Sequence, residues 1–226
     1  MTKAYILFTR IPVPYKTKTR LTKTLTPQEA SHVQAILLRD LFQKLTALPQ
    51  KGIAVFVAYS DEKSPTEFLA QLPDQFQAFP QVGTTLGERM DQAIQHVFTL
   101  GYQKVILTGS DIPQLTANVI ESAFEKMTEV VLGPSVDGGY YLIGATKQIN
   151  LAPLFLTDIK WGGADVLQQT LALLGSKTKV TLLPPLLDID EPQDLQRIVS
   201  EIQTESPGFK RWLEKNRRRY DEKSDH

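Results

Sequence analysis

Short runs of apolar residues alternate along the chain with longer segments in which apolar residues recur every three or four positions. The short runs predict buried strands, and the longer segments predict helices with one apolar face. The predicted strands are residues 4–9, 53–59, 76–79, 104–108, 130–132, 140–144 and 180–183. The predicted helices are residues 26–47, 64–71, 85–100, 116–127, 164–174 and 192–203. Because parallel strands need crossover connections, this alternation predicts an α/β fold with a mainly parallel sheet and helices on both faces.

The domain organisation follows from where this alternation stops. No repeat and no linker-like change of composition interrupts residues 1–206, which we interpret as one domain. Residues 207–226 are dense in charge and weakly apolar beyond Leu213, and we expect a charged C-terminal tail formed by a short helix that frays into solvent. The first residues do not resemble a signal peptide, and no apolar run approaches a membrane span. We therefore expect a cytoplasmic protein with no membrane span.

Charge and cysteine content narrow the classes of partner and metal site. Lys plus Arg and Asp plus Glu both total 25, so no overall positive field exists to hold a nucleic acid, and a small-molecule partner is expected. The chain has no Cys, which excludes disulfides, thiolate nucleophiles and Cys-ligated metals. His32, His96 and His226 have no metal-ligand spacing. Any bound metal should therefore be a hard cation with oxygen ligands.

A basic loop follows the first predicted strand, at the edge of a parallel sheet where ligands usually bind. It contains Arg10, Lys16, Lys18 and Arg20 together with several hydroxyl groups. Lys supplies a point charge and Arg a two-bond fork, so the loop suits a phosphate. It contains no Gly and is neither a Walker A loop nor a Rossmann fingerprint. A solvated basic loop is the alternative interpretation.

Acidic residues follow two other predicted strands. Asp111 comes directly after residues 104–108, where a carboxylate could hold Mg²⁺ or Mn²⁺ against substrate phosphates or simply stabilise a Pro-containing turn. Asp188 and Asp190 alternate with apolar residues, so they should project to the same face. Paired carboxylates repel unless a cation or a proton lies between them. Helix capping by Asp190 or Glu191 is the competing account.

Two further segments carry candidate ligand-binding residues. Asp137, Gly138 and Gly139 precede an aromatic strand, and the glycines would either let the backbone approach a ligand or form an ordinary hairpin turn. Arg89 falls in the first turn of a predicted helix, where the helix dipole disfavours a cation. This placement suggests an anionic partner, and a surface ion pair with a neighbouring carboxylate is the alternative.

Six segments in a fixed order resemble a bacterial family of GT-A-like glycosyltransferases, often associated with radical-SAM and selenodomain proteins. They are RIPVPYKTKTRL, TTLGERM, TGSDIP, PSVDGGYYLIG, Trp161 and LDIDEPQDL, and they extend over about residues 4–197. The family is similar to nucleotide-diphospho-sugar transferases and, more distantly, to guanylyltransferases. The resemblance implies a Rossmann-like three-layer α/β/α sandwich, with residues 1–206 as a nucleotide-diphospho-sugar transferase-like domain. Tyr15 stands where the family commonly has Gly.

The resemblance also implies roles for individual residues. Lys18 and Arg20 would face the donor phosphates, and Asp137 would line the acceptor side. The full set of predicted roles is catalytic for Asp111 and Asp137, substrate-binding for Arg10, Lys18, Arg20, Arg89, Gly138 and Gly139, and metal-binding for Asp111, Asp188 and Asp190. The implied cofactor is Mg²⁺ or Mn²⁺.

These features together predict a metal-dependent transferase. The donor would be a nucleotide sugar or a nucleoside triphosphate, and the acceptor would be a small molecule. Glycosyl transfer is the first interpretation. Nucleotidyl transfer that releases pyrophosphate is the second, and a non-catalytic nucleotide-binding module is the third, because a fold does not guarantee chemistry.

Overall fold

A computed structural model describes residues 2–60, 63–157, 159–202 and 204–221. Within them, one seven-stranded sheet has the order β3-β2-β1-β4-β6-β5-β7. The strands are β1 (Lys3–Thr9), β2 (Ile53–Tyr59), β3 (Gln77–Pro80), β4 (Lys104–Thr108), β5 (Val130–Pro134), β6 (Tyr140–Thr146) and β7 (Val180–Leu182). All neighbouring strands pair in parallel except β6, which is antiparallel to both β4 and β5.

Helices cover both faces of this sheet, which confirms the predicted α/β/α sandwich. They are α1 (Pro27–Leu45), α2 (Thr66–Leu69), α3 (Leu86–Thr99), α4 (Ala117–Lys126), α5 (Ala152–Phe155), α6 (Val166–Leu174), α7 (Pro192–Glu201) and α8 (Pro207–Asp221). One core lies between the sheet and α1 and α4, and a second lies between the sheet and α3 and α5. Short α5 and the 3-10 helices at Thr19–Lys23 and Pro49–Lys51 were not predicted.

Strand β1 shows why apolar runs form the interior of this sheet. Tyr5 and Leu7 are fully buried on the α1 side, and Ala4 and Ile6 are fully buried on the α3 side. Because successive side chains of a strand point to opposite faces, a strand covered on both faces must be apolar throughout. This architecture brings the carboxyl ends of β1, β4 and β5 to one edge of the sheet.

Three helix starts follow from side-chain capping. The Thr26 hydroxyl accepts a hydrogen bond from Glu29 N, and the Glu29 carboxylate accepts from Thr26 N, which makes a capping box. The same arrangement begins α3, and the Thr116 hydroxyl caps α4. Each cap satisfies N–H groups that have no partner inside the helix.

The C-terminal segment forms the predicted helix, but its first part is buried rather than exposed to solvent. Helix α8 already begins at Pro207, and its Phe209 and Leu213 are buried in a third core shared with α1 and α7. The first part of this segment therefore packs on the domain, whereas the side chains of residues 214–218 are exposed or half-buried. Residues 222–226 lie outside the described residues. The division of the chain at residue 206 stays a prediction.

A buried carboxylate on α1 holds the start of α8, and its removal should destabilise the protein. Asp40 accepts hydrogen bonds from Gly208 N at 3.2 Å and from Phe209 N at 2.8 Å. We expect Asp40→Ala to lower the free energy of unfolding by about 2 kcal/mol, because two N–H groups at a helix start lose their acceptor. Urea denaturation measures this, and Asp40→Asn, which keeps one acceptor oxygen, should lose less. An unchanged midpoint for Asp40→Ala would contradict the role.

None of the helices within the described residues is both long enough and apolar enough to span a membrane.

Candidate functional site

A cavity of about 710 Å³ lies at the edge of the sheet where β1, β4 and β5 end. Its volume is typical of cavities that hold small ligands. The predicted site residues that line it are Arg10, Lys18, Arg20, Arg89, Asp111, Asp137, Gly139, Asp188 and Asp190. The structure thus brings together loops separated by more than a hundred residues, and the roles of these residues stay predictions.

The basic loop is anchored at its centre by Thr17. This side chain is buried, and its hydroxyl oxygen accepts a hydrogen bond from Val13 N at 2.8 Å. Arg10 Nη1 also donates to Lys16 O at 2.8 Å. These contacts hold the backbone directly before Lys18, so local structure sets where the Lys18 side chain begins.

Two residues of this loop adopt left-handed backbone conformations. Tyr15 has a φ of 67° and Lys18 a φ of 52°. For a residue other than Gly this conformation costs about 1 kcal/mol or more. Gly would adopt the backbone conformation of Tyr15 without strain. The Tyr15 side chain is 72% exposed, so packing does not compensate for this cost.

Lys18 joins the basic loop to the acidic side of the cavity. Its Nζ donates to Asp111 Oδ2 at 2.9 Å and to the carbonyl oxygen of Ile189. The Lys18 side chain is only 5% exposed, against 34% for Asp111. Ile189 N also donates to Asp111 O at 2.9 Å. The loop after β4 and the segment after β7 are therefore tied together around one ammonium group.

Two more ion pairs, nearer to solvent, join the same two segments of the chain. Arg20 Nη1 lies 2.8 Å from Asp190 Oδ2, and Lys23 Nζ lies 3.2 Å from Glu191 Oε2. The Arg20 and Asp190 side chains are 55% and 40% exposed, so water and salt screen their attraction. The interpretation of the basic loop as purely solvated is wrong at Lys18, which is buried against a carboxylate, whereas Arg20 forms an exposed ion pair.

Asp188 has the most perturbed carboxyl group of the cavity. Its pKa is raised to about 7, chiefly by burial and further by the negative charges of Asp111 and Asp137, while Lys18 opposes them. Three carboxylates from three different loops thus act on one another. The prediction that Asp188 and Asp190 project towards the same space agrees with their common place in the cavity lining.

Residues 135–139 form the turn of an antiparallel hairpin between β5 and β6, as the ordinary interpretation of Asp-Gly predicts. Asp137 Oδ1 accepts hydrogen bonds from Gly139 N at 3.0 Å and from the Ser135 hydroxyl. Gly138 has a different reason to be Gly, because a Cβ there would lie 2.0 Å from Ala164 O. Its φ of 94° and this close packing account for Gly138 without a ligand.

Arg89 does not form the surface ion pair that was the alternative interpretation. Its Nε donates to Gly83 O at 2.9 Å, and no ion pair within the described residues links it to Glu88 or Asp91. Glu88 instead accepts from Thr84 N at 2.7 Å as part of the start of α3. Arg89 therefore faces the cavity without a carboxylate partner in this part of the chain, and its anionic ligand stays a prediction.

Comparison with known proteins places this arrangement in a family. The sequence profile of the family described as "Uncharacterized protein conserved in bacteria (DUF2064)" matches residues 33–163, more than half of the chain. The chain belongs to this family. The match includes α1 from residue 33 onwards, the loop of Asp111, the hairpin of Asp137 and Trp161, and it ends before Asp188.

Relatives of this DUF2064 member extend the likeness beyond the family match. A crystal structure from Desulfovibrio desulfuricans G20, of a protein inferred to be a nucleotide-diphospho-sugar transferase, is 32% identical, with a TM-score of 0.87 over 98% of both chains. The 2-phospho-L-lactate guanylyltransferase of Methanocaldococcus infernus is 24% identical over 87% of this chain and 84% of its own. A cytidylyltransferase from Leptospira borgpetersenii is 12% identical, with a TM-score of 0.55 over 96% of this chain and 94% of its own, which shows a common fold.

A buried polar network beneath the cavity was missed by sequence reasoning. The hydroxyl groups of Thr9 and Ser110 lie 2.7 Å apart, and Gln34 Nε2 donates to Ser110 Oγ at 2.7 Å. All three residues are buried and hold the ends of β1 and β4 together beside Asp111. The available signal was Gln34 itself, a polar residue among the mainly apolar buried residues of α1.

The donor groups of the cavity suit a hard divalent cation in their chemistry. Asp111, Asp137, Asp188 and Asp190 offer carboxylate oxygens, the ligands that Mg²⁺ and Mn²⁺ prefer. In the conformation described, however, no group of three or more acidic or His side chains among residues 2–60, 63–157, 159–202 and 204–221 is arranged to hold a metal. The Lys18 ammonium group already forms an ion pair with the Asp111 carboxylate. A metal ion would therefore compete with this ammonium group for Asp111.

Proposed function

We propose that this protein transfers the nucleotidyl group of a nucleoside triphosphate to a small acceptor and releases pyrophosphate. The observation that carries the proposal is the cavity, where basic side chains of the loop after β1 meet carboxylates from the ends of β4, β5 and β7. Cations suit the phosphates of a donor, and carboxylates suit the divalent ion that accompanies such phosphates.

The number of cations in the cavity favours nucleotidyl transfer over glycosyl transfer. Five cationic side chains line the cavity, Arg10, Lys16, Lys18, Arg20 and Arg89. A triphosphate carries more negative charge than the diphosphate of a nucleotide sugar, so it matches this number of cations better. The similarity to a guanylyltransferase supports the same reaction.

Glycosyl transfer is the second candidate, and a specific observation favours it. The Desulfovibrio protein, which matches nearly the whole chain, is inferred to be a nucleotide-diphospho-sugar transferase. In that reaction the leaving group is a nucleoside diphosphate. The association with radical-SAM and selenodomain proteins, which the motifs suggest, belongs to this candidate.

Each side chain has a distinct task in the proposed reaction. Lys18 and Arg20 bind donor phosphates, and Asp111, Asp188 and Asp190 hold the divalent cation. When bound, Mg²⁺ or Mn²⁺ would neutralise the phosphates and the charge that develops on the leaving group. Asp137 and Gly139 line the acceptor side, and Arg89 binds an anionic part of a substrate. Catalysis is then mainly positioning and electrostatic stabilisation.

The reaction is tested by following the leaving group. Purified protein with Mn²⁺ is incubated with each nucleoside triphosphate and with a panel of phosphorylated small acceptors, 2-phospho-L-lactate among them, and pyrophosphate is measured. A parallel series uses nucleotide sugars and measures nucleoside diphosphates. Pyrophosphate release that depends on an acceptor supports the proposal, and release of nucleoside diphosphates supports glycosyl transfer. Tight nucleotide binding without turnover in either series would indicate a non-catalytic module.

Substitutions in the basic loop separate phosphate recognition from a general effect of charge. We expect Arg20→Ala to weaken binding of a nucleoside diphosphate by about tenfold to a hundredfold, the range for hydrogen bonds that involve charged groups. Arg20→Lys should already weaken binding, since a point charge does not reproduce the two-bond fork. Lys16→Ala should retain most of the affinity. Calorimetric titration measures all three, and equal affinities would contradict phosphate binding by Arg20.

A further inference from the structure

Lys18 has an unusual position for a residue expected to bind an external phosphate. Its ammonium group is buried and already has two partners, Asp111 Oδ2 and the carbonyl oxygen of Ile189. Neither partner belongs to the basic loop. The Lys18 side chain therefore points away from the other cations of the loop and towards the acidic part of the cavity.

The ammonium group lies on the acidic side of the cavity, 2.9 Å from Asp111 Oδ2, and Asp137 and Asp188 line the same cavity. Asp111 and Asp137 both act electrostatically on Asp188, and Lys18 is the cation that opposes them. Carboxylates that share a site repel one another unless a positive charge lies between them. Lys18 supplies a positive charge at this place through its ion pair with Asp111.

We propose that Lys18 is an internal counter-ion that blocks Asp111 until the phosphates of the donor withdraw it, so that donor and divalent cation bind cooperatively. The inference rests on the proposed function, because it regulates the same site. Without donor, a metal ion competes with a buried ammonium for Asp111. With donor, Lys18 pairs with phosphate, and Asp111 becomes available.

The local structure allows this exchange with little rearrangement. Thr17, directly before Lys18, and Leu21, in the 3-10 helix after it, are both buried and fix the backbone of this segment. The change is therefore confined to Lys18 and its exposed neighbours. Arg20, which pairs with Asp190 at the exposed side of the cavity, can turn towards a phosphate in the same way.

Removing the ammonium group separates this mechanism from simple phosphate binding. A Lys that only binds phosphate would leave the affinity for metal alone unchanged when it is replaced. A Lys that blocks Asp111 would instead, on replacement by Met, raise the affinity for Mn²⁺ alone. By linkage, Mn²⁺ and donor each change the affinity of the other by the same factor, and this factor should fall in the variant.

The experiment titrates Mn²⁺ into wild type and Lys18→Met and follows free Mn²⁺ by electron paramagnetic resonance, with and without GDP. We expect Lys18→Met to bind Mn²⁺ alone at least about tenfold more tightly than wild type, as expected when a competing unit charge leaves a poorly screened site. GDP should strengthen Mn²⁺ binding in wild type much more than in the variant. Lys18→Gln serves as a second variant if Lys18→Met does not fold.

Lys23→Met is the matched control, because it removes an ion pair with Glu191 from the same segment. It should leave Mn²⁺ affinity close to that of wild type. Equal Mn²⁺ affinities of wild type and both Lys18 variants in the absence of GDP would overturn the counter-ion mechanism, even if GDP and Mn²⁺ bind. Failure of wild type and all variants to bind Mn²⁺ or any nucleoside diphosphate would instead overturn the proposed function.

Discussion

Replacing Asp111 with Asn should abolish Mn²⁺-dependent nucleotide binding while the melting temperature changes little. The amide keeps the shape of the carboxyl group but loses its charge, and hard divalent cations bind preferentially to carboxylate oxygens. The lost ion pair with Lys18 is offset in the folded state, because Asp188 no longer faces the charge of Asp111. We expect Mn²⁺ affinity in the presence of GDP to fall by at least about a hundredfold.

Nucleotide affinity without metal gives an internal check on the same variant. Since Lys18 loses its charged partner in Asp111→Asn, GDP alone should bind no more weakly than to wild type. Asp74→Asn, which changes an exposed carboxylate outside the cavity, serves as the control. If Asp111→Asn lowers the melting temperature strongly and the folded fraction still binds Mn²⁺ normally, Asp111 is a turn residue and its assigned role is wrong.

The sheet and most helices could be predicted because their signals are local. Parallel strands covered on both faces must be apolar throughout, and residues 53–59 are an example in which the predicted and observed strands agree fully. The Thr-x-x-Glu pattern marks the starts of α1 and α3 for a similar reason, since both hydrogen bonds are made within four residues. Helix α5, with only four residues, is too short to show a helical period.

The candidate site could be predicted as a set of residues but not as a set of contacts. The rule that ligands bind at the carboxyl ends of parallel strands was sufficient to group Lys18 with Asp111 and Asp188. That the Lys18 ammonium pairs with Asp111, which is 93 residues away, depends on how the segment after β7 closes the cavity. The packing role of Gly138 could not be predicted either. Its close neighbour Ala164 belongs to a distant segment of the chain, which no local pattern reveals.

Replacing Asp188 with Asn should stabilise the protein, and more so at high pH. Burial and the charges of Asp111 and Asp137 raise the pKa of Asp188 from 3.8 to about 7. The folded state therefore binds this proton more tightly than the unfolded state, and its stability falls as pH rises from about 4 to about 7. The difference corresponds to about 4 kcal/mol at full ionisation. Asn stays neutral at every pH, so the variant avoids this loss.

Melting temperatures at pH 5 and pH 8 test the sign of this effect. At pH 5 only part of the loss is present, so the gain from Asp188→Asn should be larger at pH 8 by about 2 to 3 kcal/mol, or about 5 to 10 °C for a chain of this size. Asp74→Asn should show no such dependence on pH. Equal gains at both pH values would contradict a raised pKa.

The Asp188→Asn variant should also bind Mn²⁺ more weakly in the presence of GDP, because a proposed metal ligand is lost. A more stable protein with weaker Mn²⁺ binding would show that Asp188 contributes to binding at the expense of folding stability, as is common for functional sites.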